Sequence, residues 1–543
     1  MTRINFLFVL IGIFFLFGIS WHTTPIELQS TTEGEFTNRM AVQPRIPIQK
    51  GISTQAYIER GPITITSDSQ INNSAVTGFK GNGTVDDPIL IKGYNITDSS
   101  GTLISISGTT FFFQITNCLL NGMTTTGNGI VFSNVIHGTI KYNTIINNNY
   151  AGIVMDSSEN NIIANNTIYN GNQDGIRIWS ASHNNTVHNN TVYNHGWSGI
   201  LLRQSKDNVV RKNTVYDTSE LSGIRLEAAE ENLIINNVVF DNSPFGISLI
   251  DFASIGFSRN NLFSNNTIYE NNGPGIILHQ GAVNNTFIYN TIHSNTQEGG
   301  IYVQEDSNNH NFTRNTFFNN NLYGIYCEGS DSNSIYHNLF YNNVGHGVRT
   351  SMESDNNNIQ FNDFSGNNPG HHQAADDGSN NLFSNNFWSD WSGSGSYSLD
   401  SMVGNSDTSP LTNPYHLSAP IIVNPTGTKL NGSVTIQWTA SSDTFGHSLT
   451  YSVLYSTDDG TSWTTLVSGL TTTNYLFNTT TFTDGTTILF KVQATDSIGF
   501  ISETISENTF SIQNPTSSAG IPSILMLFLA FAALLVLRRD RSS

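Results

Sequence analysis

At 543 residues the chain is too long for one compact core, so two or more units are expected. Only 12% of its residues are charged and the net charge is -19, which excludes nucleic acid as a partner, because binding it needs basic patches that displace counterions. The 37% hydrophobic and 11% aromatic content supplies a core and excludes a disordered acidic polymer.

Residues 1–20 carry Arg3, an apolar run from Ile4 to Ile19 and the small residues Gly18 and Ser20. This reads as a secretory signal peptide, with an uncleaved signal anchor as the competing reading. Residues 21–56 are polar, contain Pro25, Pro44 and Pro47, and read as a linker. The strand pattern starts at Tyr57, and Ile63-Thr64-Ile65 with Ile89 to Ile91 are expected to cap the first exposed strand edges.

Two interleaved ladders then run through the chain. An Asn-x-apolar unit recurs from Asn143-Thr144-Ile145 through Asn166, Asn190 and Asn213 to Asn386-Phe387-Trp388, with most neighbours 23 to 25 residues apart. Half a period out of phase, a Gly followed by Ile or Val recurs at Gly129, Gly152, Gly175, Gly199, Gly223, Gly246 and on to Gly347. Two ladders with one period mean a solenoid. The repeating apolar residues are mostly Ile, Val and Phe in short runs, which predicts strands rather than helices. Asn at the same corner of successive coils can pass hydrogen bonds from amide to amide and tolerates left-handed backbone angles, so nearly every Asn is read as structural. One coil is longer than the rest, and its extra residues, around Asp251 to Ser258, should bulge as a loop.

These coils resemble the right-handed parallel β-helix repeats of the NosD-like and pectin-lyase-like superfamily. The stretch Gly81-Asn82-Gly83-Thr84-Val85-Asp86-Asp87-Pro88 resembles the opening segment of that family, and Asn386-Phe387-Trp388-Ser389-Asp390-Trp391 its closing aromatic segment. The resemblance covers residues 57–416 and implies an all-β fold. It implies no single activity, because this fold carries lyases, hydrolases, epimerases, adhesins and copper-site accessory proteins. Copper handling is disfavoured by the lack of any Met-rich or Cys-His pattern. Cys118 and Cys327 lie on the order of 40 Å apart at the spacing of stacked strands, too far to pair.

Residues 417–515 change character. Alternating strands such as Val434-Thr435-Ile436-Gln437-Trp438, with turns at Asp458-Asp459-Gly460 and Asp484-Gly485, resemble a fibronectin type III or immunoglobulin-like β-sandwich with Trp438 in its core. Residues 521–537 are apolar and uncharged, and residues 538–543 start with Arg538-Arg539-Asp540-Arg541. The pattern predicts a C-terminal transmembrane helix with a basic cytoplasmic tail, which would anchor the chain at the cell surface with its bulk outside. Replacement of that helix by a lipid anchor is the competing reading.

Chemistry is expected on the outward face of the Gly-Ile strands, where side chains alternate. One outward column contains Arg177, Arg225, Tyr302, Tyr326 and Arg349, and the next Asp156, Trp179, Arg203, Glu227, His279 and Glu328. Aromatic rings suit the apolar faces of pyranoses, and Arg suits hydroxyls and uronates. The candidate glycan-binding residues are therefore Arg177, Trp179, Arg203, Arg225, Tyr302, Tyr326 and Arg349. The bland alternative is a solvated face whose charges only maintain solubility. Catalysis would need two carboxylates about 5 to 9 Å apart. The weak candidates are Glu227 with Asp251 and Glu305 with Glu328, each on adjacent coils, with Arg203 or Arg225 as base or charge clamp. His371, His372, Asp376 and Asp377 form the densest group of potential metal ligands, although cap polarity explains them as well. No cofactor is expected, and calcium alone is left open.

The expected function is binding of extracellular polysaccharide or glycoprotein by a membrane-anchored surface protein. The alternatives are a surface polysaccharide lyase or glycoside hydrolase using the same face, and a purely structural coat protein.

Overall fold

The computed structural model describes residues 56–72, 74–123, 127–250, 256–402 and 404–514. Three parallel sheets of 14, 13 and 13 strands run the length of the first unit, each coil adding one strand to each sheet. The Gly-Ile strands form one sheet, the Asn-Thr-Ile strands a second, and short strands such as Ile162–Ala164 and Thr186–His188 the third. Register is kept strictly: Thr144, Thr167, Thr191 and Thr214 pair in line, and so do Ile145, Ile168, Val192 and Val215. The second set points inward and is fully buried, because β-branched residues at every other position pack on the pleat while their neighbours face out.

The Asn ladders hold the corners. Between the third sheet and the Asn-Thr-Ile sheet, eleven asparagines run from Asn143 to Asn386, and from Asn166 onward each side-chain oxygen accepts from the backbone N–H and the amide of the Asn one coil back. The residue just before the corner is left-handed, as at Asn165 (φ 55°) and Asn189 (φ 54°). The ladder ends on Asp407, whose Oδ2 accepts from the Asn386 backbone and amide and from Trp388 Nε1. Trp388 stacks between Phe364 and Tyr397 and closes the last coil.

The Gly ladder has a different cause. At Gly199 an added Cβ would stand 2.2 Å from Val215 Cγ1 and 2.7 Å from the Gly223 carbonyl oxygen, so the corner admits no side chain. Gly199→Ala is expected to destabilise by about 1–3 kcal/mol through overpacking, read as a lower urea midpoint without loss of β-sheet circular dichroism.

Residues 422–512 form two sheets. One contains Ile422–Asn424, Ser433–Trp438 and Asn474–Asn478; the other is built on Leu449–Ser456 and Thr487–Asp496. They enclose Ile436, Trp438, Tyr451, Val453, Phe477, Phe490 and Val492.

One part of the expected fold class does not stand. Among the described residues no helix is long and apolar enough to cross a membrane. Among the described residues the helical elements are only the four-residue turns Asp68–Ile71 and Ser74–Thr77 and the short 3-10 turn Thr479–Thr481. The expected anchor and the surface localisation that depended on it are therefore corrected: the described apolar sequence is spent on short strands, and a span needs about 20 apolar residues in one helix. Residues 1–20 and 521–537, on which the signal and the span were placed, lie outside the described residues.

Candidate functional site

The outer face of the Gly-Ile sheet carries the two columns in register. Arg177, Leu201, Arg225 and Ser248 pair in line, as do Ile277, Tyr302, Tyr326 and Arg349. Two groups of candidate side chains result, one on the middle strands of this sheet and one toward its C-terminal end.

The first group is charged. Glu227 pairs with Arg203 of the preceding coil, its register partner, with Oε2 3.3 Å from Arg203 Nε, while Oε1 lies 2.5 Å from Arg225 Nε. Although both face outward, Arg225 is 7% exposed and Glu227 6%, so this pair is held away from water, where charges interact more strongly. Arg177 grips the buried Asp174 through Nε and Nη2 at 2.7 and 2.6 Å, and lies over the rings of Trp179 and Trp197. Burial raises the Asp174 carboxyl above its ordinary value and the Glu227 charge adds to this, against the pull of Arg177. Trp179 Nε1 and Ser198 Oγ are buried here without a hydrogen-bond partner.

The second group is aromatic. Tyr302 and Tyr326 stack with ring centroids 5.2 Å apart and planes 4° apart, and both hydroxyls donate to Glu328. Burial, then the Glu328 charge, pushes Tyr326 up to about 12 and raises Tyr302 as well. Arg349 lies over the rings of Tyr323 and Tyr326 and donates from Nη1 to the Tyr323 hydroxyl. Its Nε is buried without a partner, and among the described residues it makes no ion pair with a carboxylate.

The proposed carboxylate pairs are not assembled in this way. Asp251 lies outside the described residues. Glu305 sits past its strand end in a left-handed conformation, and its Oε2 lies 3.6 Å from His279 Nε2, while Glu328 is engaged by the tyrosines. Nor do His371, His372, Asp376 and Asp377 converge. Asp376 is buried and accepts from Thr350 Oγ1 and from the amides of Asn381 and Asn405, Asp377 accepts from the Met402 N–H, and His372 packs edge-on to Tyr397. The exposed His371 lines a shallow recess with His372, Asp390 and Asp400.

The sequence reading missed a third feature. On the outer face of the Asn-Thr-Ile sheet, Tyr169, Tyr193, Tyr216, Phe240, Tyr269, His293, Phe318 and Tyr341 stack in one continuous column, with neighbouring centroids 4.5 to 5.0 Å apart and planes within 17°. The signal was present one residue after the apolar position of each Asn-x-apolar unit. Burial in the stack pushes Tyr193 and Tyr269 up to about 12 and His293 down to about 4. The stack also explains the alignment of these strands, since aromatic pairs add to sheet pairing.

The fold defines a parallel β-helix repeat protein with a docked two-sheet unit. A family model described as right handed beta helix region matches residues 48–192, 102–262 and 251–388, together more than half of the chain, and the chain belongs to that family. The chain is similar to a mutant of the periplasmic alginate epimerase AlgG, at 15% identity over 54% of this chain and 84% of that one, with a TM-score of 0.41. It is similar to the A-module of an Azotobacter vinelandii mannuronan C-5 epimerase, at 13% identity over 56% and 85%, with a TM-score of 0.36. The Dettilon tailspike protein is similar at 12% identity over 82% and 84%, with a TM-score of 0.34. These are likenesses of fold. The comparison with curated proteins found no match.

Proposed function

We propose that the outer face of the Gly-Ile sheet binds an acidic polysaccharide laid along the coils, in an adhesive role. The observation that carries this reading is the stacked Tyr302 and Tyr326 pair beside Arg349, an arginine with no carboxylate partner among the described residues. Flat rings pack on the apolar face of a pyranose, and a guanidinium free of an ion pair donates bidentately to a uronate carboxylate. Trp179 and the more exposed Arg203 extend the platform toward the N-terminal coils, with Arg177 and Arg225 held beneath them by Asp174 and Glu227. The two-sheet unit, with Trp438 in its core, is read as a spacer of the fibronectin type III or immunoglobulin-like kind.

Replacing Trp179, Tyr302 and Tyr326 together by Ala should reduce retention on immobilised uronate polymers by more than tenfold, with β-sheet circular dichroism unchanged. Unchanged retention by a folded triple variant would sink the reading.

A second reading, cleavage of the bound polymer, is favoured by one observation: Asp174 is a buried carboxyl with a raised pKa within the field of Glu227 and beside Arg177. Such a carboxyl can serve as a general acid beside Glu227, which Arg203 and Arg225 hold in place. Under this reading Glu227→Gln abolishes turnover of a polymer that the unmodified chain shortens, while retention survives.

A further inference from the structure

Where the last coils meet the two-sheet unit, five buried or half-buried polar side chains converge that polysaccharide binding does not use. His416, in the connecting segment, places Nε2 3.0 Å from Asp496 Oδ2 and 3.8 Å from Asp443 Oδ2. His447 places Nδ1 3.1 Å from Asp443 Oδ2 and 3.7 Å from Asp496 Oδ2. All four atoms lie within 4.8 Å of one another, and the two imidazoles meet at 84°. Each side chain thus aims one donor atom at a common point.

Two of these separations, His416 Nε2 to Asp496 and His447 Nδ1 to Asp443, are hydrogen bonds, and the set of four also brackets the spacing of a coordination sphere. Metal–ligand bonds of about 2.0 to 2.2 Å in a tetrahedron put ligand atoms about 3.3 to 3.6 Å apart, and the four His–Asp separations fall on both sides of that value.

The hydrogen bonding prepares each ligand. Asp363, from the penultimate strand of the Asn-Thr-Ile sheet, lies 2.6 Å from His416 Nδ1 and also accepts the backbone N–H groups of Tyr415 and His416. An imidazole that gives one N–H to a carboxylate turns its other nitrogen outward as a donor lone pair, the usual support of a metal-binding His. In Asp496, Oδ1 accepts the N–H groups of Ile498 and Phe500; in Asp443, Oδ1 accepts that of Phe445. Both aspartates therefore keep Oδ2 for the centre.

Charge points the same way. The side chains of Asp363, Asp443 and Asp496 are at most 2% exposed, and only two imidazoles face them. Among the described residues no Lys or Arg forms an ion pair with any of the three. Three buried carboxylates beside the rings of Phe445 and Phe500 need compensating positive charge.

We propose that His416, Asp443, His447 and Asp496 form a tetrahedral site for zinc, with Asp363 orienting His416. Two imidazoles and two monodentate carboxylates suit zinc, whereas calcium takes six to eight oxygens. Four protein ligands make the site closed and structural, and the ion would fasten the two-sheet unit to the last coils through His416 and Asp363.

The test uses the full chain, stripped with chelator and titrated with zinc and then cobalt(II). One zinc per chain and the intense visible bands of four-coordinate cobalt are expected. His447→Ala, at the most exposed of the ligands, should lower zinc affinity more than tenfold, and Asp363→Asn should lower it roughly 10- to 100-fold by releasing the His416 ring. If His447→Ala misfolds, the cobalt spectrum of the unmodified chain decides between four-coordinate binding at this site and none. Absence of stoichiometric metal, six-coordinate cobalt bands, or equal affinity in a folded His447→Ala variant would each overturn the proposal.

Discussion

Asn237→Ala should destabilise the solenoid by about 4 kcal/mol or more, although it removes only a small amide at a corner. Asn237 Oδ1 accepts both the backbone N–H and the amide of Asn213, at 3.0 and 3.1 Å. Its own amide donates to Asn266 Oδ1 and to the Val210 carbonyl. Truncation strands two donors of Asn213 and the Val210 oxygen at a corner that water does not reach, since Asn213 is 1% exposed and Asn237 fully buried. Each buried polar group left without a partner costs about 1 to 3 kcal/mol, so three of them set the scale. Asp is a sharper probe than Ala: Asn237→Asp keeps the acceptor for Asn213 but loses the donor, and places its charge against Asn266 Oδ1. Equilibrium urea unfolding of the two variants checks the argument, and a loss below about 1 kcal/mol for Asn237→Ala would mean that the ladder is not cooperative.

The repeat was legible because one residue type per corner has a local reason to be there. Gly199 marks a place without room for a Cβ, and Asn166 or Asn190 a place where three hydrogen bonds are needed. Once those two ladders were aligned, strand alternation put Arg177, Arg225, Tyr302 and Arg349 in one column, and the register agrees. What a column does not reveal is which neighbours its side chains choose. In sequence Glu227 is offered with Asp251 and with Arg203 or Arg225 as base or charge clamp, whereas in the fold both arginines hold it, one on its own strand and one a coil back. Asp376 reads as a ligand beside His371 and His372, but alternation turns it inward to hydroxyl and amide donors. The junction was out of reach for a different reason: His416 meets a partner 80 residues away in another unit, and no periodicity links the two. The aromatic column on the Asn-Thr-Ile sheet was readable by the same alternation that revealed the Gly-Ile face.

Lowering the pH from about 6.5 toward 4 should unfold this β-helix well before its carboxylates titrate fully, because two histidines are locked neutral inside it. Burial pushes His195 down to about 4 and His310 down to about 3. The sign follows from the folded value lying below the unfolded one of about 6.5: between the two, the unfolded chain binds protons that the folded chain refuses, so stability is complete above about pH 6.5 and falls as the pH drops. Each histidine contributes a loss on the order of 3 kcal/mol by pH 4 or below. His310 is the more informative, since it occupies an Asn position: the Asn285 backbone N–H donates to its Nδ1, and the His310 backbone N–H donates to Asn333 Oδ1. Every other interior rung from Asn161 to Asn381 on this corner is an asparagine. His310→Asn should therefore restore an uncharged rung, leave stability at pH 7.5 equal or higher, and remove its share of the acid sensitivity. Urea midpoints measured from pH 8 to pH 4 on the two chains decide it. Parallel curves would mean that His310 takes up its proton by local opening, without cost to the fold as a whole.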